Sequence, residues 1–325
     1  MASAAPFSQP AHAEVLALLS EFSRFGATGT GGVSRLACDQ ADGLARAHLV
    51  DWLKSNEFDV QIDEIGNIFG LWDFGTGDQD LMFLCGSHLD SQPNGGKFDG
   101  ALGVVTALVV AKSVKAAVLE GNLEPMYGSF AVVAWTSEEG ARFQPSLLGS
   151  SVFTQKLALQ DALQTEDKDG ITVEQALSKI GYAGTDVIPM PNYYFELHIE
   201  QGTKLESANN SIGIVEASWG ATKLLVTIHG RADHTGPTPM AARKDALLAA
   251  SQLVLAVNEL SKNTSSNLHT SVGRMEIAPN SPNTIAETVR MWVELRSDDQ
   301  NALSVAAAQL NETINELPAL LGCVI

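Results

Sequence analysis

His88, Asp90 and Asp99 fall within one glycine-rich stretch, GSHLDSQPNGGKFDGALG (86–103), directly after the apolar run LMFLC. Glu138 and Glu139 follow a second apolar run, FAVVAW, and His198 closes a third strand-like segment, YYFELHIEQG. Metal ligands in α/β proteins gather at the carboxyl ends of strands, where loops from several strands converge. Imidazole and carboxylate donors together suit Zn²⁺, Mn²⁺, Co²⁺ or Ni²⁺, and the absence of cysteine ligands argues against a purely structural zinc. A carboxylate bridging two ions permits two-metal hydrolysis, with a free neighbouring carboxylate taking the proton from the attacking water. Glu138 and Glu139 are adjacent, so at most one is expected as a ligand, which leaves the other free to act as the base. Asp90 is close enough in sequence to orient the His88 ring from behind. Each residue also has an ordinary structural role: His198 as a core histidine, Glu138-Glu139 as a solvated loop, Asp99 as a helix N-cap. The metal reading is favoured because all four features follow a strand.

The elements that must position these groups are visible as hydrophobic patterns. From about Ala13 to Gly202, helical and strand patterns alternate, which indicates an α/β layer architecture. Helices are expected over Asp42–Lys54 and from Ala101 to about Glu120. Continuous apolar strands such as 130–135 suit a sheet covered on both faces. After Gly202 the order becomes β-α-β-β-α, with strands 221–229, 271–277 and 288–296 and helices 241–262 and 301–317. That order is a ferredoxin-like sandwich lacking its last strand, which the terminal GCVI could begin. A boundary is expected within 205–215, giving a catalytic metal-binding domain over 1–209 and a lid or dimerisation domain over 210–325.

The bulk composition narrows the function classes. With 325 residues, 45% of them hydrophobic, the chain is long enough for two cores. A net charge of −18 argues against nucleic acid or an anionic membrane surface as partner, because both are bound chiefly through basic patches. No apolar run is expected to reach the roughly 20 residues of a membrane span, and the first fifteen residues read without a secretory signal. Cys38, Cys85 and Cys323 are scattered and unpaired in pattern. They read as reduced thiols of a cytoplasmic protein.

Four motifs carry a resemblance: GSHLDSQPNGGKFDGALG, TSEEGARFQPSLLGS, ELHIEQG and GRADHTGPTPMAARKDAL. Together, in this order, they are similar to the zinc-dependent amidohydrolases that include N-carbamoyl-L-amino-acid hydrolase, allantoate amidohydrolase and β-ureidopropionase. The resemblance runs from about Gly31 to the end of the chain. It implies a metallopeptidase-like three-layer catalytic domain with an inserted ferredoxin-like α+β lid, two divalent metal ions (zinc first), and a homodimer joined through the lid. It implies His88 and His198 as ligands of one ion, Asp99 as the bridge, Glu139 on the second ion and Glu138 as general base. Gln201, Asn283 and Arg296 would contact substrate, and His234 would reach a partner subunit's site and polarise the scissile carbonyl. Arg296 fits a substrate carboxylate because its planar fork binds one bidentately; its plain alternative is a surface pair with Asp298 or Asp299. Asn283 equally suits a turn.

The implied reaction is hydrolysis of the C–N bond of an N-carbamoyl (ureido) acid. An aminoacylase or dipeptidase of the same superfamily is the alternative enzyme. A catalytically inactive metal-binding or dimerisation protein is the alternative outside catalysis, because the family continues past the lid with a segment bearing a further histidine ligand. The resemblance therefore implies a chain truncated at its C-terminus.

Overall fold

The structure, a computed structural model, describes residues 9–75, 81–125, 128–262 and 267–325. The chain divides into two units, Met1–Ala208 and Asn209–Ile325.

In the first unit, helices α1 (Gln9–Phe22), α2 (Gln40–Ser55) and α3 (Ala101–Leu119) accompany strands β1 (Asp59–Ile62), β2 (Ile68–Asp73), β3 (Met82–His88), β4 (Ser129–Trp135) and β5 (Tyr193–Phe195). Short helices α4 (Leu148–Phe153), α5 (Leu159–Leu163), α6 (Val173–Ile180) and α7 (Lys204–Ser207) complete it. The strands form one mixed sheet in the order β1-β2-β4-β3-β5, with β3 parallel to both β4 and β5. Both faces of its central strands β2, β4 and β3 are covered, whereas edge strand β5 is exposed. Leu49, Leu53, Val104, Leu108 and Val132 form the core on the helical side, and Phe69, Leu84, Val133 and Trp135 form a second core on the opposite face. This double burial is why β4 reads as an unbroken apolar run rather than an alternating one.

Helix α3 departs from expectation. An 18-residue window within it has a mean hydropathy of 1.9, so by length and composition it is an apolar segment long enough for a membrane span. The fold accounts for this by covering the helix on two sides: Val104, Val105 and Leu108 pack in the same core as Leu18, Leu19 and Phe22 of α1 and Val132 of the sheet. Near its end Lys112 pairs with Glu14 at 2.7 Å, and the Lys115 ammonium donates to the carbonyls of Asn56 and Glu57.

In the second unit β6 (Gly220–His229), β7 (Leu268–Ala278) and β8 (Thr288–Ser297) make an antiparallel sheet in the order β6-β8-β7. Helices α8 (Ala246–Leu260) and α9 (Gln300–Leu321) share its core, which contains Val289, Met291, Val293 and Leu295 on alternate positions of β8. The intervening Arg290, Trp292, Glu294 and Arg296 therefore stand on the other face. Val324 exchanges both backbone hydrogen bonds with His229, at 2.7 and 2.8 Å. The last residues thus lie beside β6, where the fourth strand of a ferredoxin-like sandwich belongs.

Helix α8 begins five residues later than the apolar pattern suggests. A 3₁₀ turn at Met240–Ala242 comes first, Arg243 is extended, and the Asp245 carboxylate caps the helix by accepting from the amides of Leu247 and Leu248. The Arg243 guanidinium donates to the carbonyls of Thr235 and Thr238, which holds that segment out of the helix.

Candidate metal centre

His88 is the last residue of β3 and pairs in register with Trp135, the last of β4. Asp99 stands two residues before α3, whose N-cap is Gly100 at φ 64° with no side-chain cap. The Asp99 carboxylate is therefore not spent on capping. A β-carbon on Gly100 would come within 2.5 Å of the His88 ring, and one on Gly103 within 2.6 Å of Ser87 and of the Leu197 carbonyl. These two glycines let α3 start against the ends of β3 and of the segment that follows β5.

The result is a compact donor set. One ligand atom each from His88, Asp99 and His198 lies within 4.8 Å of the others. His198 Nε2 stands 3.3 Å and His88 Nε2 3.9 Å from Asp99 Oδ1. The opposite ring nitrogens are occupied: His88 Nδ1 lies 2.9 Å from the Asp90 carbonyl, and His198 Nδ1 2.9 Å from the Ile199 carbonyl. A carbonyl can only accept, so each Nδ1 carries a proton, and in the neutral ring Nε2 is the nitrogen that turns its lone pair toward Asp99. Two imidazole Nε2 atoms and a carboxylate converging on one point fit a divalent cation such as zinc.

Glu138 joins this group from the loop after β4, with Oε2 3.4 Å from His88 Nε2. Burial pushes its carboxyl above the ordinary value, and His88 offsets this only in part. Glu139 is not brought into the three-ligand group. Its carboxylate, together with its carbonyl, accepts from the Gln92 amide, at 2.9 and 3.1 Å. Gln201 donates to Asp99 Oδ2 at 2.5 Å.

Asp90 acts differently from the expectation that its carboxylate orients His88. That orientation comes from its backbone carbonyl, while the side-chain oxygen stays 3.8 Å from Nδ1. The carboxylate instead accepts from the amides of Glu138 and Glu139, both at 3.1 Å. The reason is local backbone shape. Ser137 is left-handed at φ 52°, which turns two successive N–H groups toward one buried anion. The other side of the loop is equally tied, since the carbonyls of Thr136, Ser137 and Glu138 accept from residues 149, 148 and 147.

Several positioning residues escaped the sequence reading. Buried Asn67 accepts from the Thr136 amide at 2.9 Å and donates to the Gly149 carbonyl at 3.1 Å. Arg35, 1% exposed, donates to the carbonyls of Leu89, Phe22 and Phe25, steadying the loop between His88 and Asp90. Glu196 accepts from Ser87 and Tyr194. Only Glu196 left a signal, two residues before His198 in an extended segment.

In the second unit, His234 bridges to Thr284, and the Thr235 amide donates to the Asn283 carbonyl at 3.1 Å. His234 Nδ1 accepts from the Gly236 amide at 3.0 Å, so the neutral ring carries its proton on Nε2. Arg296 is not brought to this pair. It lies near the far end of β8 from Thr288, with Nε 3.0 Å from Glu294, not against Asp298 or Asp299.

A mixed sheet with histidine and carboxylate donors at its strand ends, plus a separate α+β unit, defines a hydrolase of the metallopeptidase type. The chain matches Peptidase family M20/M25/M40 over residues 84–316 and belongs to that family. It is 34% identical over 306 residues to an N-carbamoyl-L-amino-acid amidohydrolase of Rhizobium meliloti, covering 94% of this chain and 72% of that one. To an allantoate amidohydrolase of Bacillus subtilis it is 31% identical over 293 residues, covering 86% and 68%. Among solved structures, a hydantoinase/carbamoylase family amidase from Burkholderia vietnamiensis superposes with a TM-score of 0.90 at 37% identity, covering 95% of this chain and 74% of that one.

Proposed function

We propose that this protein hydrolyses the C–N bond of an N-carbamoyl or related ureido acid, of which N-carbamoyl-L-amino acids and allantoate are the two candidates. The observation that carries the reading is the position of Glu138, a carboxylate with a raised pKa 3.4 Å from His88 Nε2 at the edge of the three-ligand group. His88, Asp99 and His198 would hold one divalent ion, and Asp99 with Glu139 a second, with zinc the first choice. Such ions supply Lewis acidity toward a carbonyl oxygen and acidify water.

Glu138 takes the proton of the attacking water and returns it to the leaving nitrogen, as its place beside His88 allows. His234, protonated on Nε2, donates to the developing oxyanion. Arg296 pairs with the substrate carboxylate, Asn283 and Gln201 orient the ureido acid, and Asp90 holds the Glu138 backbone.

A homodimer belongs to this reading on a physical ground. Arg296 and Thr288 are eight residues apart on β8, roughly 26 Å at strand rise, and the pairing of 233–235 with 283–285 continues beyond Thr288. A small ureido acid cannot touch Arg296 and the His234–Asn283 pair of one lid, so the two ends must come from two copies. The cytoplasm is the expected location.

The test is turnover by the zinc-loaded protein of N-carbamoyl-L-amino acids, allantoate, N-acetyl amino acids and dipeptides. Amine or ammonia release from the ureido acids alone is expected. Cleavage of the acyl or peptide substrates instead would overturn the assignment.

A further inference from the structure

At the carboxyl ends of β3, β4 and β5 four side chains form a connected line. Trp135 Nε1 donates to the Tyr194 hydroxyl at 2.9 Å, that hydroxyl donates to Glu196 Oε2 at 2.6 Å, and the Ser87 hydroxyl donates to Glu196 Oε1 at 2.5 Å. Three of the four lie within three residues of the metal centre. Ser87 precedes His88, Glu196 stands two residues before His198, and Trp135 stands three before Glu138. Both carboxylate oxygens of Glu196 are engaged by protein hydroxyls, which makes it a strut rather than a ligand.

The line matters because the backbone ladder stops short. Strand β5 pairs with β3 at only three positions, ending at Phe195 opposite Cys85. Among the described residues no backbone–backbone hydrogen bond holds 196–200. His198 Nδ1 bonds only to the next residue's carbonyl. What ties the His198 segment back to the strand that carries His88 is Glu196 on Ser87, with Gln201 on Asp99 further along. Ser87 is fully buried, so the strand side of this tie is held in place, while Glu196 itself is exposed.

We propose that Glu196 is a positioning residue that sets the separation of His88 and His198 through its bonds to Ser87 and Tyr194. The proposal rests on the metal reading above and concerns affinity for the ion rather than choice of substrate. Atoms held to a metal's ligands from behind typically change affinity by about 10–100-fold when removed.

The experiment measures the zinc Kd of the full chain by competition with a chromophoric chelator, for wild type, Glu196→Gln, Ser87→Ala, Tyr194→Phe and the Ser87→Ala/Glu196→Gln double variant. Zinc Kd is expected to rise about 10–100-fold in Glu196→Gln and severalfold in Ser87→Ala and Tyr194→Phe, while the Tm of each apo-protein stays near wild type. The double variant should bind no worse than Glu196→Gln alone, because both remove one coupled strut. The cobalt-substituted variants should show a shifted visible absorption band, reporting altered ligand geometry. Weakening confined to Glu196→Gln would assign the effect to lost charge and overturn the proposal, as would unchanged affinity in all variants. A wild type that binds no zinc would overturn it together with the metal reading. Zinc binding without ureido turnover would leave it standing and count only against the substrate assignment.

Discussion

Asp90 and Glu138 are joined through the backbone: the Asp90 carboxylate, 2% exposed, accepts the Glu138 amide at 3.1 Å and the neighbouring Glu139 amide at the same distance. One buried anion thus fixes the loop carrying both glutamates while its own carbonyl holds His88. Asp90→Asn retains one acceptor and turns an NH₂ group against an amide N–H. It should lower kcat by about 10–100-fold, measured by steady-state kinetics alongside metal content. Unchanged kcat would mean the loop is held without it.

Glu138 and Glu139 are expected to separate cleanly. Glu138→Gln should keep metal content while lowering kcat by about 10²–10⁴-fold, the usual contribution of a positioned proton acceptor. Glu139→Gln should lose one equivalent of metal, as read by elemental analysis. The reverse pattern would exchange their roles, a result made concrete by the position of Glu138, not Glu139, beside His88.

The separation of Arg296 from His234 within the second unit, on the proposed dimer reading, predicts complementation between subunits. Mixing inactive His234→Ala chains with inactive Glu138→Gln chains should restore activity, since a mixed dimer would contain one intact site. No recovery in heterodimers verified by native mass spectrometry would show that each copy uses its own His234.

Asn67 is expected to matter for stability as well as placement. Its loss leaves the buried Thr136 amide and Gly149 carbonyl without partners. Asn67→Ala should cost about 1–3 kcal/mol for each group left unsatisfied, measured by urea denaturation. A change below about 0.5 kcal/mol would show that water or a shifted backbone replaces the amide.

Asp63, which accepts from Asn67, is pushed up to about 6 by burial, although the Asn67 bonds pull the other way. Between the ordinary carboxylate range and about pH 6, the folded chain holds this proton and the unfolded chain does not. Asp63 therefore contributes a loss of stability as pH rises through that window. Carbon-detected NMR should find its midpoint near 6, and Asp63→Asn should flatten that part of the pH–stability curve. A midpoint near 4 would remove the argument.

Much of the fold was legible locally. The unbroken apolar run of β4 and the alternation of β8 declare a doubly covered sheet and a singly covered one, because side chains on a strand alternate with period two whatever the rest of the chain does. The close approach of Gly100 and Gly103 to His88 and Ser87, by contrast, appears only in the folded chain. Local pattern failed where a polar contact overrode it. Apolar spacing runs back to Ala241, but Asp245 and the bonds of Arg243 start the helix at Ala246.

The sequence by itself determined which residue types stand at strand ends, hence the candidate ligands and the chemistry open to them. Only the tertiary structure decided which of them meet. His198 lies 99 positions after Asp99, yet their ligand atoms are 3.3 Å apart, because β3 lies between β4 and β5 in the sheet. The same order gave the Asp90 carboxylate to the Glu138–Glu139 amides and set Glu196 between Ser87 and Tyr194. Strand order is a property of long-range pairing and packing, and no local period in the chain encodes it.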